Sequence, residues 1–332
     1  MSKLILPRHF KRARTVDNML TFDAQTIDSS GVFLIGELER LDQTLHAPLV
    51  SVTWGRDIQL REDVSIADEV SSFTNSTFTA VGGTSPTGKA WIGNDSSAIA
   101  SLALDINKTA KPLPLWGMEL SWTLPELASA QKLGRPVDSQ KFNAMKLKHN
   151  MDIDEQVYIG DTELGEEGLL NSSQVSNVSN AITGDWATAT HDEILADVDD
   201  LLSSTWENAG FAVCPSEIRL PPKQFSMLVN RKVSDAGNIS ILEYLKQNSI
   251  ANSINGRPAN IQPLKWLTGR GTSGSHRMIA YTNDKDRVRF PLVPLQRTPL
   301  EYRGIRQITT YYGRLGVVEI VYSETIGYRD GI

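Results

Sequence analysis

The chain has 332 residues, 22% of them charged and 40% hydrophobic, the proportions of a packed globular protein with two domains or one large domain with extensions; disorder, collagen and coiled coil are excluded for the whole chain. A net charge of −6 is too acidic for a protein whose main task is gripping nucleic acid. The single cysteine, Cys214, allows no internal disulfide and no multi-thiolate metal site, which fits a reducing compartment.

The N-terminal stretch MSKLILPRHFKRARTV carries Lys3, Arg8, Lys11, Arg12 and Arg14 before the first acid, Asp17, so residues 15–332 hold a net −11. Such an arm touches phosphates or an acidic neighbour, or is a solvated tail. It has no continuous apolar stretch with a small-residue cleavage site, and no apolar run in the chain approaches the ~20 residues that span a bilayer, so a soluble, unexported protein is expected. Up to residue 48 the pattern predicts an arm with one short helix around Leu38, Leu41 and Leu45.

From Val50 the period becomes two: Val50, Val52, Trp54, Ile58 and Leu60 on one side predict a half-buried strand. Residues 71–97, rich in Ser, Thr, Gly and Asn, predict a polar loop tip broken only by Phe73, Phe78 and Trp91-Ile92. Alternation resumes at Leu102, Leu104, Ile106 and at Trp116, Met118, Leu120, Trp122. Lys111-Pro112-Leu113-Pro114 lies between, which predicts a hairpin of these two runs.

Thr123-Leu-Pro-Glu126 is a capping box that opens a helix with Leu127, Ala130 and Leu133. Gly134-Arg135-Pro136 should break or kink it, after which Asp138 can cap a second stretch carrying Phe142, Met145 and Met151. A second box, Thr190-His-Asp-Glu193, opens the cleanest amphipathic helix, with Ile194, Val198, Leu201, Leu202, Thr205 and Trp206 on one face and Gly210 to end it. Short helices at about 221–230 and 239–248 alternate with strand-like 218–220, 261–267 and 278–281, an α/β pattern. The tail from 287 is strand-rich, strongest at 308–312 and 317–322, and no repeat of 20–50 residues is present.

Residues 50–123 thus hold strands and loops without a helix, and Trp54, Trp91, Trp116 and Trp122 each need a dry environment worth roughly 2–3 kcal/mol. Either this arm lies across another copy of the chain or it folds onto its own domain.

Motifs for chemistry are absent or fail on context. Gly83-Thr-Ser-Pro-Thr-Gly88-Lys89 has phosphate-loop spacing, but Ala90 stands where a magnesium-binding hydroxyl belongs, and neither a buried strand before it nor a helix after it is predicted. The five histidines are scattered. The acidic pairs Asp152/Asp154, Glu166/Glu167 and Asp199/Asp200 show no sign of the apolar pocket that acid–base work needs, the acids of 192–200 read as a solvated helix face, and no nucleophile elbow occurs. No enzyme and no cofactor are expected.

The order of segments, together with Gly31-Val-Phe-Leu-Ile-Gly-Glu-Leu-Glu39, Val52-Thr-Trp-Gly-Arg-Asp57, Trp122 to Gln131, Tyr158-Ile-Gly-Asp161 with Gly168-Leu-Leu-Asn171, and Tyr328-Arg-Asp-Gly-Ile332, resembles the major capsid proteins of tailed double-stranded DNA bacteriophages. These share the Hong Kong-type shell fold with encapsulins. The resemblance implies an α+β fold with an N-terminal arm (1–49), an extended β-arm (50–123) and a peripheral domain (124–174 and 286–332) containing a spine helix. Residues 175–285 would form an α/β axial domain. It also implies hexamers and pentamers closing an icosahedral shell in the virion, assembled in the host bacterial cytoplasm. Scaffolding and portal proteins would be partners, with or without a decoration protein, and packaged double-stranded DNA would be touched non-specifically. Trp54, Trp91, Ile92, Trp116 and Trp122 with the basic arm would then meet neighbouring subunits. The break at 134–136 departs from an uninterrupted spine helix. The alternatives are an encapsulin-like compartment and, from another class, a nucleotide-binding α/β enzyme using residues 83–89.

Overall fold

The computed structural model describes residues 48–81, 101–133, 137–182, 184–234 and 238–332. The basic arm with Lys3, Arg8, Lys11, Arg12 and Arg14, the phosphate-loop-like segment 83–89, and Trp91 and Ile92 lie outside them.

In chain order the elements are a helical turn α1 (Trp54–Asp57), β1 (Gln59–Arg61), β2 (Val70–Val81), β3 (Ser101–Pro112), β4 (Leu115–Thr123), α2 (Leu124–Leu133), α3 (Val137–Tyr158) and β5 (Val178–Asn180). There follow α4 (His191–Asn208), β6 (Glu217–Leu220), α5 (Pro222–Asn230), α6 (Ile241–Asn248), α7 (Ile250–Asn255), β7 (Asn260–Pro263) and β8 (Arg277–Tyr281). The C-terminal part adds β9 (Val288–Arg297), β10 (Glu301–Arg303), β11 (Arg306–Leu315), β12 (Glu319–Ile320) and β13 (Gly327–Asp330).

Among the described residues three sheets form: β1-β9-β11-β10 with β12 on β9 and β4 on β11, β5-β13-β8-β6-β7, and the pair β2-β3. The second is the central layer. β8 is buried throughout; Ile279 and Tyr281 join a core with Phe290, Val288, Leu315 and the end of α3, while Met278 and Ala280 join a core under α4 to α7. This is the period-two alternation of a strand covered on both faces.

Local signals hold where they are local. The Thr190 hydroxyl accepts from the Glu193 N–H and the Glu193 carboxylate from the Thr190 N–H at 2.7 Å, and Ile194, Val198, Leu201, Leu202 and Thr205 are all buried. Each of the four aliphatic side chains contributes about 1.5–3 kcal/mol. Thr123 and Glu126 exchange the same pair of bonds at the start of α2. The break expected at Gly134-Arg135-Pro136 lies outside the described residues.

Three expectations are corrected. Residues 54–57 form a helical turn ahead of the three-residue strand β1, not part of a continuous strand. The Asp154 carboxylate accepts the Thr53 and Trp54 N–H groups at 2.8 and 3.0 Å and so caps that turn from a distant helix. Residues 71–81, expected within a loop tip, belong to the twelve-residue strand Val70–Val81 whose partner is β3. β3 and β4 are not each other's hairpin: β4 pairs antiparallel with β11 from Arg306↔Thr123 to Arg314↔Leu115. Further on, extended structure covers only 261–263 of 261–267 and 319–320 of 317–322.

The Tyr158–Asp161 and Gly168–Asn171 stretches are a structural lock. Gly160 ends α3 at φ +80, and the chain returns so that the Gly168, Leu169 and Leu170 N–H groups reach the carbonyls of Ile159, Val157 and Tyr158. The Asn171 side chain closes it, accepting from Gly168 N–H at 2.8 Å and donating to Ile159 O at 2.9 Å. A Cβ on Gly168 would stand 2.5 Å from the backbone of Tyr158 and Ile159, which only glycine avoids.

Candidate assembly surfaces

The β2-β3 hairpin projects from a root, residues 53–72, that three buried carboxylates hold. Asp154 on α3 takes the two N–H groups above and the Trp266 indole N–H at 2.7 Å. Asp57, 0% exposed, accepts from Tyr158 Oη at 2.5 Å, Arg219 Nε at 2.9 Å and Arg56 Nε at 2.6 Å. Glu319 on β12, also 0% exposed, accepts from Arg61 at 3.0 Å, Arg289 at 2.7 Å and the Ser71 hydroxyl. The arm therefore leaves a charge-paired and hydrogen-bonded base.

Burial pushes the Asp57 carboxyl up, but Arg56, Arg219 and Tyr158 outweigh it, and it titrates below the ordinary carboxylate range. Burial, the Asp57 charge and their hydrogen bond push the Tyr158 hydroxyl far up, so it remains a donor. These are structural settings. No residue pairs a nucleophile with a base here.

Beyond the root, β3 is exposed along most of its length, and Leu102, Leu104 and Ile106 are 68, 60 and 62% exposed. Their spacing puts them on one face of the pair, where their register partners are Ala80, Phe78 and Ser76. A stripe of three large aliphatics on a two-stranded sheet is an uncovered apolar surface.

The tryptophans behave otherwise. Trp54 and Trp116 are half-buried against the core that contains Tyr158 and Leu315, and Trp116 donates to Asp152 at 2.9 Å. Trp122 is buried with Leu120 and Met145. Each finds its dry surface within its own chain, so their burial gives no reason to invoke a neighbour. The root carboxylates and their arginines, which sequence reasoning missed, carry no local signal except the acid and base types themselves. Apart from Arg56, the arginine partners lie 30–258 positions away.

Among the described residues the other titratable groups do not gather into a reacting set. Burial depresses His149, which meets the Trp116 ring edge-on at 4.6 Å, and burial pushes the Cys214 thiol up to about 11. Among the described residues no three His, Cys, Asp or Glu side chains form a metal-binding group, and no helix is long and apolar enough to cross a membrane.

A family model described as major capsid protein matches residues 88–332. The chain belongs to the major capsid protein family. Solved structures agree in fold: the capsid of Myoviridae phage XM1 superposes with a TM-score of 0.72 at 19% identity, over 90% of this chain and 98% of that one. A structure of Mycobacterium phage Adephagia gives 0.62 at 9% identity, over 94% and 98%. The capsid of a native GTA particle gives 0.59 at 12%, over 89% and 96%. No curated protein matches the chain in sequence. As a major capsid protein the chain is a structural, non-enzymatic component of a capsid, which accounts for a root built for rigidity and an exposed apolar arm.

Proposed function

We propose that this capsid protein assembles as hexamers and pentamers into an icosahedral shell around double-stranded DNA, with the β2-β3 hairpin lying over a neighbouring subunit. The exposed Leu102, Leu104 and Ile106 stripe on a rigid root carries the reading. Covering those three side chains contributes several kcal/mol per contact at about 25 cal/mol per Å² of apolar surface. Heterologous contacts between identical subunits close into rings. In this reading α2, α3 and the six-stranded sheet form the peripheral part, and the five-stranded sheet with α4 to α7 forms the axial part. The basic arm, Lys3 to Arg14, binds an acidic surface of an adjacent subunit or a scaffolding protein, and the acidic body leaves packaged DNA free to slide. Assembly takes place in the host cytoplasm, with scaffolding and portal proteins as partners.

Electron microscopy of the overexpressed chain tests this. Wild type forms closed shells, and Leu102→Ser/Leu104→Ser/Ile106→Ser stays folded but leaves capsomers or monomers. Shells of the triple variant at wild-type yield would remove the hairpin contact. Deletion of residues 2–14 lowers shell yield, and normal yield would count against the arm contact.

A further inference from the structure

The β10-β11 turn is a second uncovered surface, of different chemistry. Residues 299–306 are all exposed, with Tyr302 at 65% and Ile305 at 63%. Gly304 turns the chain at φ +60 and places Arg303 directly opposite Arg306. Like charges facing across an antiparallel pair are destabilising. Among the described residues the only acid within salt-bridge distance of either is Glu301, 3.8 Å from Arg303 and itself exposed. A paired-arginine tip carrying a tyrosine and an isoleucine has the composition of an interface anchor with an acidic, partly apolar partner. A phosphate backbone would satisfy the arginines but leave Tyr302 and Ile305 uncovered.

The chain itself presents such a partner between β1 and β2. Glu62, Asp63, Asp68 and Glu69 are exposed there, beside Val70 at 55%. Asp63 is engaged by Arg61 and Asp68 by Ser65, but Glu62 and Glu69 have no cation within salt-bridge distance among the described residues. The loop is held in place: Arg314 Nε donates to Ile66 O at 2.7 Å, so little ordering is lost when something docks on it. That same bond keeps the two surfaces apart within one copy. Arg314 lies eight residues along β11 from Arg306, roughly 27 Å in an extended strand, so the turn cannot reach its own 62–69 loop.

We infer that the Arg303/Arg306 turn of one subunit docks on the acidic 62–69 loop of another, a heterologous contact that joins copies. The inference rests on the shell reading and adds a second contact to it, separate from the apolar stripe.

Charge reversal and rescue in the full chain decide it. Arg303→Glu/Arg306→Glu keeps the wild-type unfolding transition and lowers shell yield by on the order of tenfold or more, since it sets like charges face to face. Combining it with Glu62→Arg/Glu69→Arg restores shells. In a second arm, Ile305→Cys with Val70→Cys yields disulfide-linked oligomers when shells are oxidised, and neither single cysteine does. Wild-type yield from the Arg303→Glu/Arg306→Glu variant, absence of rescue, or absence of the crosslink in intact shells each overturns this contact and leaves the shell reading standing. Normal shells that lose co-purifying nucleic acid would assign the turn to phosphate instead. A wild-type chain that remains monomeric at high concentration overturns the shell reading, and this contact with it.

Discussion

Asp57→Asn perturbs the root of the arm at its most enclosed point. The carboxylate is 0% exposed and balances Arg219, whose side chain is 1% exposed, while taking a hydrogen bond from Tyr158. Removing one member of a buried pair costs about 3–5 kcal/mol because the other charge is left without its counterion. Arg219 retains Glu217 at 2.6 Å and the carbonyls of Ile218 and Asn260, so the lower end, about 3 kcal/mol, is expected. Urea unfolding of the unassembled chain measures it as a lower midpoint at unchanged m-value. The pH dependence supplies a second reading. The folded-state pKa of Asp57 is depressed, so its stabilisation is complete above the unfolded value near 3.8 and is lost as pH falls through the folded value. The wild-type curve should therefore drop below pH 4 more steeply than the variant's, by up to about 1.4 kcal/mol per pH unit. Replacing both partners, as in Asp57→Asn/Arg219→Met, should cost less than the sum of the single changes. A loss under about 1 kcal/mol with parallel acid limbs would refute the claim that this charge pair fixes the root.

Gly168→Ala drives a methyl group into the Tyr158 and Ile159 backbone and should lower stability by about 3 kcal/mol or more. Gly165→Ala, at φ +69 with open space around it, should cost only about 1 kcal/mol, and equal effects in thermal unfolding would contradict the lock. His149→Gln should flatten stability in mild acid. Burial holds the folded imidazole below 6.5, so the wild type loses stability as pH drops beneath that value and the unfolded chain takes up the proton first. Unfolding temperatures at pH 7.5 and 5.5 that shift equally in both proteins would dismiss a role for His149.

The amino-acid sequence determined what short-range chemistry can encode. Both capping boxes and the buried face of α4 depend on neighbours within one or two helical turns, and each is where the pattern puts it. The resemblance to capsid proteins was legible for the same reason of order, through segments such as Tyr158–Asp161 and Gly168–Asn171, though not what those residues do. Tertiary structure decided everything that depends on remote partners. A Ser- and Thr-rich run from 70 to 81 is a strand because β3 supplies its ladder, and β4 joins a strand almost two hundred residues later. An alternating 50–61 segment contains a helical turn because a carboxylate a hundred positions away caps it. Trp54, Trp116 and Trp122 found their dry surface at home while Leu102, Leu104 and Ile106 did not, a difference invisible to periodicity because an apolar side chain has the same spacing whether its cover is its own core or another molecule.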